Sequence, residues 1–282
     1  MGDQAVIINV GTKAVTTLAL LSVLRHADVP VLVIDCESAD GSLEHFGRLQ
    51  SHYDFELTSM PLRSHGDTLD VLFRTTAAEH LLLVDSDLEI IDPTIVGFLR
   101  TFLDDRGVFG AGFLNGPAWL SGTKMAAFGV EGALFFERPW MPLVWFDVAS
   151  VRKALDAGRS FAHVLVDNEY GVFGRLGRGR VRLGPLYRLT RRGPAWLRPQ
   201  VSGQRPSRVY YDTGARIYEY LRDQSQLYFA GLPGPSTTRF ATHFTGVTRR
   251  TLDPADEHGL GTLAEVDEIV RARLRDEYGE RV

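Results

Sequence analysis

Leu81-Leu-Leu-Val-Asp-Ser-Asp87 is the stretch on which the reading of this chain turns. Its four apolar residues are too few for a helix and read as a buried strand. The strand stops on two carboxylates, Asp85 and Asp87, and Asp92-Pro93 then reads as a helix cap with proline at the first helical position. Carboxylates at i and i+2 just past a buried strand can converge on one hard cation, directly or through water. Mg²⁺ and Mn²⁺ favour such oxygen ligands, commonly alongside phosphate. Asp-x-Asp alone is common by chance; its place after LLLV and before a capped helix makes it informative. The plain alternative is a loop that only caps the next helix.

Outward from this stretch the chain alternates. Ala5 to Val10, Val31 to Asp35 and Phe55 to Met60 read as strands; Val15 to Arg25, Gly41 to Tyr53 and Gly66 to Ala78 read as helices. Such alternation predicts an α/β fold with a mostly parallel sheet and helices on both faces. Ligands of such sheets bind beyond the carboxyl ends of the strands, where Asp35, Asp85 and Asp87 fall. Downstream the pattern is less regular. Val108 to Phe113 and Ala126 to Glu137 read as strands around a glycine-rich loop, and Arg138 to Pro142 as a loop. Asp147 to Ala157 and Asp212 to Asp223 read as helices begun by aspartate caps. Leu263 to Tyr278 reads as an amphipathic helix with Leu263, Val266, Ile269, Val270 and Leu274 on one stripe. With no repeat and no linker, a single domain over 1–282 is expected.

Composition narrows the function. A net charge of −4 and a pI near 6.1 argue against a dedicated nucleic-acid binder. The single cysteine, Cys36, rules out an internal disulfide and fits a reducing compartment. The opening residues carry no basic region of a secretory signal, and no apolar run reaches the roughly 18 residues of a membrane span. The expected location is cytoplasmic. Charge is uneven: from Tyr170 to Val209 there are ten arginines and no Asp or Glu. Such a stretch is either a solvated surface or a contact for an anionic partner, whether a phosphate, an acidic acceptor or a membrane surface touched peripherally.

Several segments resemble the family-2-like glycosyltransferases of the GT-A fold. Asp35-Cys-Glu-Ser-Ala-Asp-Gly-Ser42 is similar to the D-x-x-S-x-D-G-S segment after their second strand. His65-Gly66 and Leu69-Asp70, leading into LLLVDSD, resemble their helix and metal-motif strand, and Asn9-x-Gly11-Thr12 stands at their first nucleotide-facing loop. Together these cover about the first third of the chain; Cys36 departs from the acidic or amide residue many relatives carry. The resemblance implies a nucleotide-diphosphate sugar donor and an Mn²⁺ or Mg²⁺ ion. Asp35 would contact the base or ribose, and Asn9, Gly11, Thr12, His65, Gly66 and Asp70 would line the donor site. Asp85 and Asp87 would manage metal and diphosphate. It divides the chain into a nucleotide-sugar half over 1–115, an acceptor-side half over 116–262 and a terminal helix over 263–282.

Further on, Tyr211-Asp-Thr-Gly214 resembles an F/Y-D-T-G segment that precedes a histidine in some members, a place filled here by His243. The resemblance makes His243 the third metal ligand, against the alternative of a core histidine between Phe240 and Phe244. An inverting transferase needs a carboxylate to take the acceptor proton. Asp212 is preferred, although it can equally be a helix cap. Asp167-Asn-Glu169, followed by Arg175-Leu176, resembles the segment where the superfamily often keeps its base, with Asn168 in an expected acidic place. Trp119, Trp140, Trp145 and Trp196 are candidate sugar platforms or core residues. A non-catalytic nucleotide-sugar-binding protein and a sugar-phosphate nucleotidyltransferase are the competing readings, the latter weakened by a first loop with one glycine and one lysine. No G-x-G-x-x-G supports a dinucleotide-binding dehydrogenase.

Overall fold

The computed structural model describes residues 2–120, 129–167, 208–252 and 261–282. In chain order the strands and helices are β1 (Asp3–Asn9), α1 (Lys13–His26), β2 (Val31–Asp35), α2 (Ser42–Leu49), β3 (Glu56–Ser59), α3 (His65–Thr75), β4 (His80–Asp85), β5 (Leu88–Ile90) and α4 (Thr94–Arg100). There follow β6 (Val108–Asn115), β7 (Ala118–Trp119), β8 (Leu134–Phe135), β9 (Arg138–Asp147), α5 (Val148–Asp156) and β10 (Val164–Asp167). The last part holds β11 (Arg208–Tyr211), α6 (Ala215–Asp223), β12 (Tyr228–Pro233), β13 (Ala241–His243), α7 (Val247–Leu252) and α8 (Leu263–Tyr278).

Seven strands form the main sheet in the order β12-β6-β9-β4-β1-β2-β3. Its pairings are parallel except where β9 runs antiparallel between β4 and β6. Strand periodicity assigns alternate residues to opposite faces. Ile7 and Leu82 pack under α1, α2 and α4, whereas Val6 and Leu83 pack under α3, α5 and α6. The sheet is therefore covered on both sides, which is why its strands read as unbroken apolar runs rather than alternating ones. The register sets Asn9 beside Asp35 and Ile8 beside Asp85, so β1, β2 and β4 end along one carboxyl edge.

Two small ladders complete the site's frame. β5 and β13 form an antiparallel pair, and β10-β11-β8-β7 a separate four-stranded sheet. Helix α8 buries Val266, Val270 and Leu274 against Val15, Leu18 and Leu21 of α1, in a cluster shared with Phe244 and Val247. Thr262 and Glu265 close a capping box at its start. Leu263 and Ile269, expected on its buried stripe, are exposed.

Other expectations shift in detail. Arg138 to Pro142 is not a loop but the start of β9; its two prolines are tolerated because the pairing with β6 slips there, between Gly112 and Leu114. Asp92 does bond Thr94, but the helix begins at Thr94, so Pro93 holds the cap position. Asp147 caps α5 through the Ser150 amide. Asp212 does not cap α6, whose cap is Gly214 at φ 80°. Of the strand expected over Ala126 to Glu137, Leu134–Phe135 forms β8 and 126–128 lie outside the described residues.

Gly66 shows how closely α3 packs. A Cβ there would lie 2.5 Å from the Ala162 Cα and 2.8 Å from the Phe161 carbonyl carbon. Helix propensity favours alanine, but backbone atoms cannot yield as a flexible side chain does. Gly66→Ala is expected to cost about 1–3 kcal/mol, lowering the thermal midpoint by about 2–4 °C for each kcal/mol. A calorimetric midpoint equal to that of wild type would show that the contact carries no strain.

Candidate metal and phosphate site

The site is assembled by the β5–β13 ladder. β5 begins one residue after Asp87, and its register pairs Leu88 with His243 and Glu89 with Thr242. The Phe244 amide closes the ladder on the Asp87 carbonyl at 2.8 Å. The ladder thus brings a histidine 156 positions away onto the metal motif, with His243 Nε2 3.0 Å from Asp87 Oδ1. One ligand atom from each of Asp85, Asp87 and His243 lies within 4.8 Å of the others.

What surrounds these three groups determines their charge. Burial pushes the Asp85 carboxyl above the usual carboxylate range; Asp87 adds to this, while His65, His243 and Arg138 oppose it. Burial pulls His243 down, but the hydrogen bond to Asp87 and the charges of Asp87 and Asp85 outweigh it, so the imidazole titrates above its ordinary value. Asp87 is 6% exposed. Two close carboxylates on a poorly hydrated edge repel each other, and a divalent cation would relieve that repulsion. Two hard oxygen donors and one imidazole suit Mn²⁺ well and Mg²⁺ acceptably. The residues therefore fit the ion the resemblance implies.

Neighbouring residues hold the ligands in place. Thr245 Oγ1 lies 3.1 Å from His243 Nδ1, which leaves Nε2 facing the carboxylates. Trp140 meets the His243 ring edge-on, with centroids 5.4 Å apart. Ser86 contacts Thr248 of α7 at 3.3 Å. Neither Thr245 nor Trp140 stands out in sequence as a support for the histidine: one is a hydroxyl two residues beyond it, and the other depends on β9 lying beside β4.

The other candidates separate into three groups. Asn9, Thr12 and Asp35 are buried and joined to one another. Asn9 Nδ2 donates to Asp35 Oδ1 at 2.7 Å and to Ser38 Oγ at 2.9 Å, and the Gly11 amide donates to the same Ser38 hydroxyl. Asp35 Oδ2 accepts from the Ser38 amide, so the carboxylate expected to touch a base or ribose is engaged within the chain and 1% exposed. The network ties together the two loops at the ends of β1 and β2.

Gly66 and Asp70 are engaged with the 160–162 segment. Asp70 accepts from Ser160 Oγ at 2.6 Å and from the Phe161 amide at 2.8 Å, beside the close approach at Gly66. His65, exposed at the first position of α3, is near enough for its charge to act on Asp85.

The base candidates are also parted. Asp212 forms an ion pair with Arg138, the first residue of β9. The β10–β11 register pairs Val164 with Tyr211 and Asp167 with Arg208, so Asp167 and Asp212 stand at opposite ends of that ladder. Glu169, Trp196 and the arginines of the 170–209 stretch other than Arg208 lie outside the described residues. Trp145 is a core residue, 0% exposed and bonded to the Val96 carbonyl.

No family model and no curated protein matches the chain. Among solved structures it is similar to S. aureus TarS in complex with UDP-GlcNAc, at 15% identity and a TM-score of 0.40, over 54% of this chain and 47% of that one. The match thus spans about half the length of that chain, which holds residues 1-349 of TarS. It is similar to a glucosyl-3-phosphoglycerate synthase from Mycobacterium tuberculosis in complex with Mn²⁺, UDP and glucosyl-3-phosphoglycerate, at 17% identity and TM-score 0.38, over 53% and 58% of the two chains. It is also similar to mannosyltransferase PcManGT from Pyrobaculum calidifontis in complex with GDP-Man and Mn²⁺, at 14% identity and TM-score 0.41, over 97% and 69%. At such identities and scores the chemistry of the site rests on its own residues. Among the described residues, no helix is long and apolar enough to cross a membrane.

The hydroxyl behind His243 gives a direct test. Thr245→Val keeps the shape and removes the hydrogen bond, and loss of such a support typically weakens metal binding about 10- to 100-fold. A calorimetric Mn²⁺ titration is expected to show that drop, and an unchanged affinity would separate Thr245 from the ligand set.

Proposed function

We propose that this chain is a divalent-cation-dependent glycosyltransferase of the GT-A type, moving a sugar from a nucleotide-diphosphate donor to an acceptor hydroxyl with inversion. The observation that carries this reading is the convergence of Asp85, Asp87 and His243 at the carboxyl edge of the sheet. Beside it lie the two loops tied by Asn9, Asp35 and Ser38, where a nucleotide would bind on such a sheet. Asp85, Asp87 and His243 would hold Mn²⁺ or Mg²⁺. When bound, the ion supplies neutralisation of the charge that builds on the departing diphosphate.

On the acceptor side Asp212 is the proposed base. Its carboxylate is kept on this side of the molecule by Arg138 and by the turn before α6, where the Ala215 amide bonds the Asp212 carbonyl at 2.9 Å. To take the acceptor proton, one of its oxygens must leave Arg138 or face the hydroxyl while the other stays paired. Trp140, edge-on to His243, would border the sugar. The acceptor is proposed to be anionic, a reading supported by the arginine-rich stretch in the sequence.

Two variants separate these roles. Asp87→Asn is expected to lower turnover about 10²- to 10³-fold, because it removes a charged group from the site of developing charge. It should also abolish the Mn²⁺-dependent thermal stabilisation that a panel of nucleotide sugars gives the wild type. Asp212→Asn is expected to keep that stabilisation while turnover falls about 10²- to 10⁴-fold. Full turnover in Asp87→Asn would refute the metal assignment. Full turnover in Asp212→Asn together with loss in Glu169→Gln would move the base to the other segment.

A further inference from the structure

Arg138 is a buried cation whose hydrogen bonding is incomplete. Its side chain is 12% exposed. One terminal nitrogen donates to the Pro139 carbonyl at 2.8 Å and the other to Asp212. The remaining donor, Nε, is buried without a hydrogen-bond partner, one of few such atoms among the described residues. A buried N–H left unpaired destabilises the folded chain, and such orphans call for an explanation in a native fold. A pair that only pinned β9 to the turn after β11 would leave the orphan Nε without a purpose.

Its position supplies the explanation. Arg138 opens β9 opposite Asn115, the last residue of β6, while Leu143 of the same strand lies opposite Val84, the residue before Asp85. The start of β9 therefore stands at the same carboxyl edge as the metal motif. The positive charge of Arg138 reaches Asp85, and its guanidinium lies 5.7 Å from the centroid of the Phe135 ring. Among the described residues, Asp212 pairs with it directly, and His65 and His243 share with it the electrostatic pull on Asp85.

We propose that Arg138 is a phosphoryl-binding residue, its unpaired Nε–H turning to an oxygen of a phosphate or diphosphate held between the metal cluster and Asp212. The planar guanidinium offers parallel donors matched to phosphate oxygens, and it stays charged at any working pH. This rests on the reading of the site as a nucleotide-sugar site and goes beyond it by adding a second protein cation to the one a metal provides. The anion and Asp212 both draw on the same guanidinium, so binding of one weakens the hold of Arg138 on the other.

The test uses the whole chain with three probes in calorimetry: Mn²⁺ alone, Mn²⁺ with inorganic pyrophosphate, and inorganic phosphate without metal. Arg138→Gln is expected to bind Mn²⁺ alone as well as or better than wild type, since a cation facing Asp85 is gone. It should bind Mn²⁺-pyrophosphate about ten- to a hundred-fold more weakly. Arg138→Lys should fall between, having charge without the fork. Asp212→Asn should bind pyrophosphate more tightly, because its competitor for Arg138 is neutral. A loss confined to the metal-free phosphate arm would also support the proposal and place the phosphoryl group on the acceptor. Equal losses for Mn²⁺ and pyrophosphate in Arg138→Gln, or none, would overturn it. Wild type that binds Mn²⁺-pyrophosphate in an Asp87-dependent way, with Arg138→Gln unchanged, would sink this inference alone. Wild type that binds neither Mn²⁺ nor Mn²⁺-pyrophosphate would instead remove the functional reading beneath it.

Discussion

The contact between His243 and Asp87 is the interaction on which the site depends, and it exists because a three-residue ladder, β5 on β13, crosses a large gap in sequence. Short antiparallel pairs are marginal alone. This one is braced from outside: Phe244 lies in the cluster under α8, and Glu89 of β5 pairs with Arg273 of that helix at 3.0 Å. The terminal helix, far from the carboxylates in sequence, thus fixes the strand that carries the histidine. Closing so long a loop costs entropy that three backbone pairings do not repay. The apolar packing of Val266, Val270 and Leu274 supplies the remainder.

Around that contact the sheet distributes charge by topology. Parallel strands β1, β2 and β4 deliver their polar ends to one edge, and antiparallel β9 brings its first residue, Arg138, to the same edge. Reversal of one strand is what sets a cation among the carboxylates. Asp35 accepts hydrogen bonds from Asn9 and the Ser38 amide, so its buried carboxylate is solvated by the loops it ties together. Asp85 and Asp87 instead share His243 as a neighbour, with one ligand atom from each of the three within 4.8 Å of the others.

Much of the frame was legible in the sequence because the strands of a doubly covered sheet are continuous apolar runs. Val31–Asp35 and the end of β4 at Asp85 fall where the pattern places them, as does α8 over Leu263–Tyr278. The failures have physical causes. Pro139 and Pro142 argued for a loop, yet they sit where β9 slips against β6 and a lost ladder bond is tolerated. Asp212 resembled a cap, but the turn ends in a left-handed glycine that caps α6 itself. Gly66 and Asp70 belong to a recognisable motif, but their contacts with the 160–162 segment are not predictable from local pattern. Thr245, Trp140 and Arg138 acquire their positions from strand pairing, which periodicity does not encode.

The central claim is that Asp85, Asp87 and His243 together bind one divalent cation that in turn holds a diphosphate. A crystal grown with Mn²⁺ and a nucleoside diphosphate, measured at the manganese absorption edge, addresses it directly. The account predicts one anomalous peak within coordinating distance of all three side chains, with diphosphate oxygens completing the shell. A peak bound elsewhere, or a diphosphate seated at this edge with His243 still paired to Asp87 and no metal between them, would contradict it.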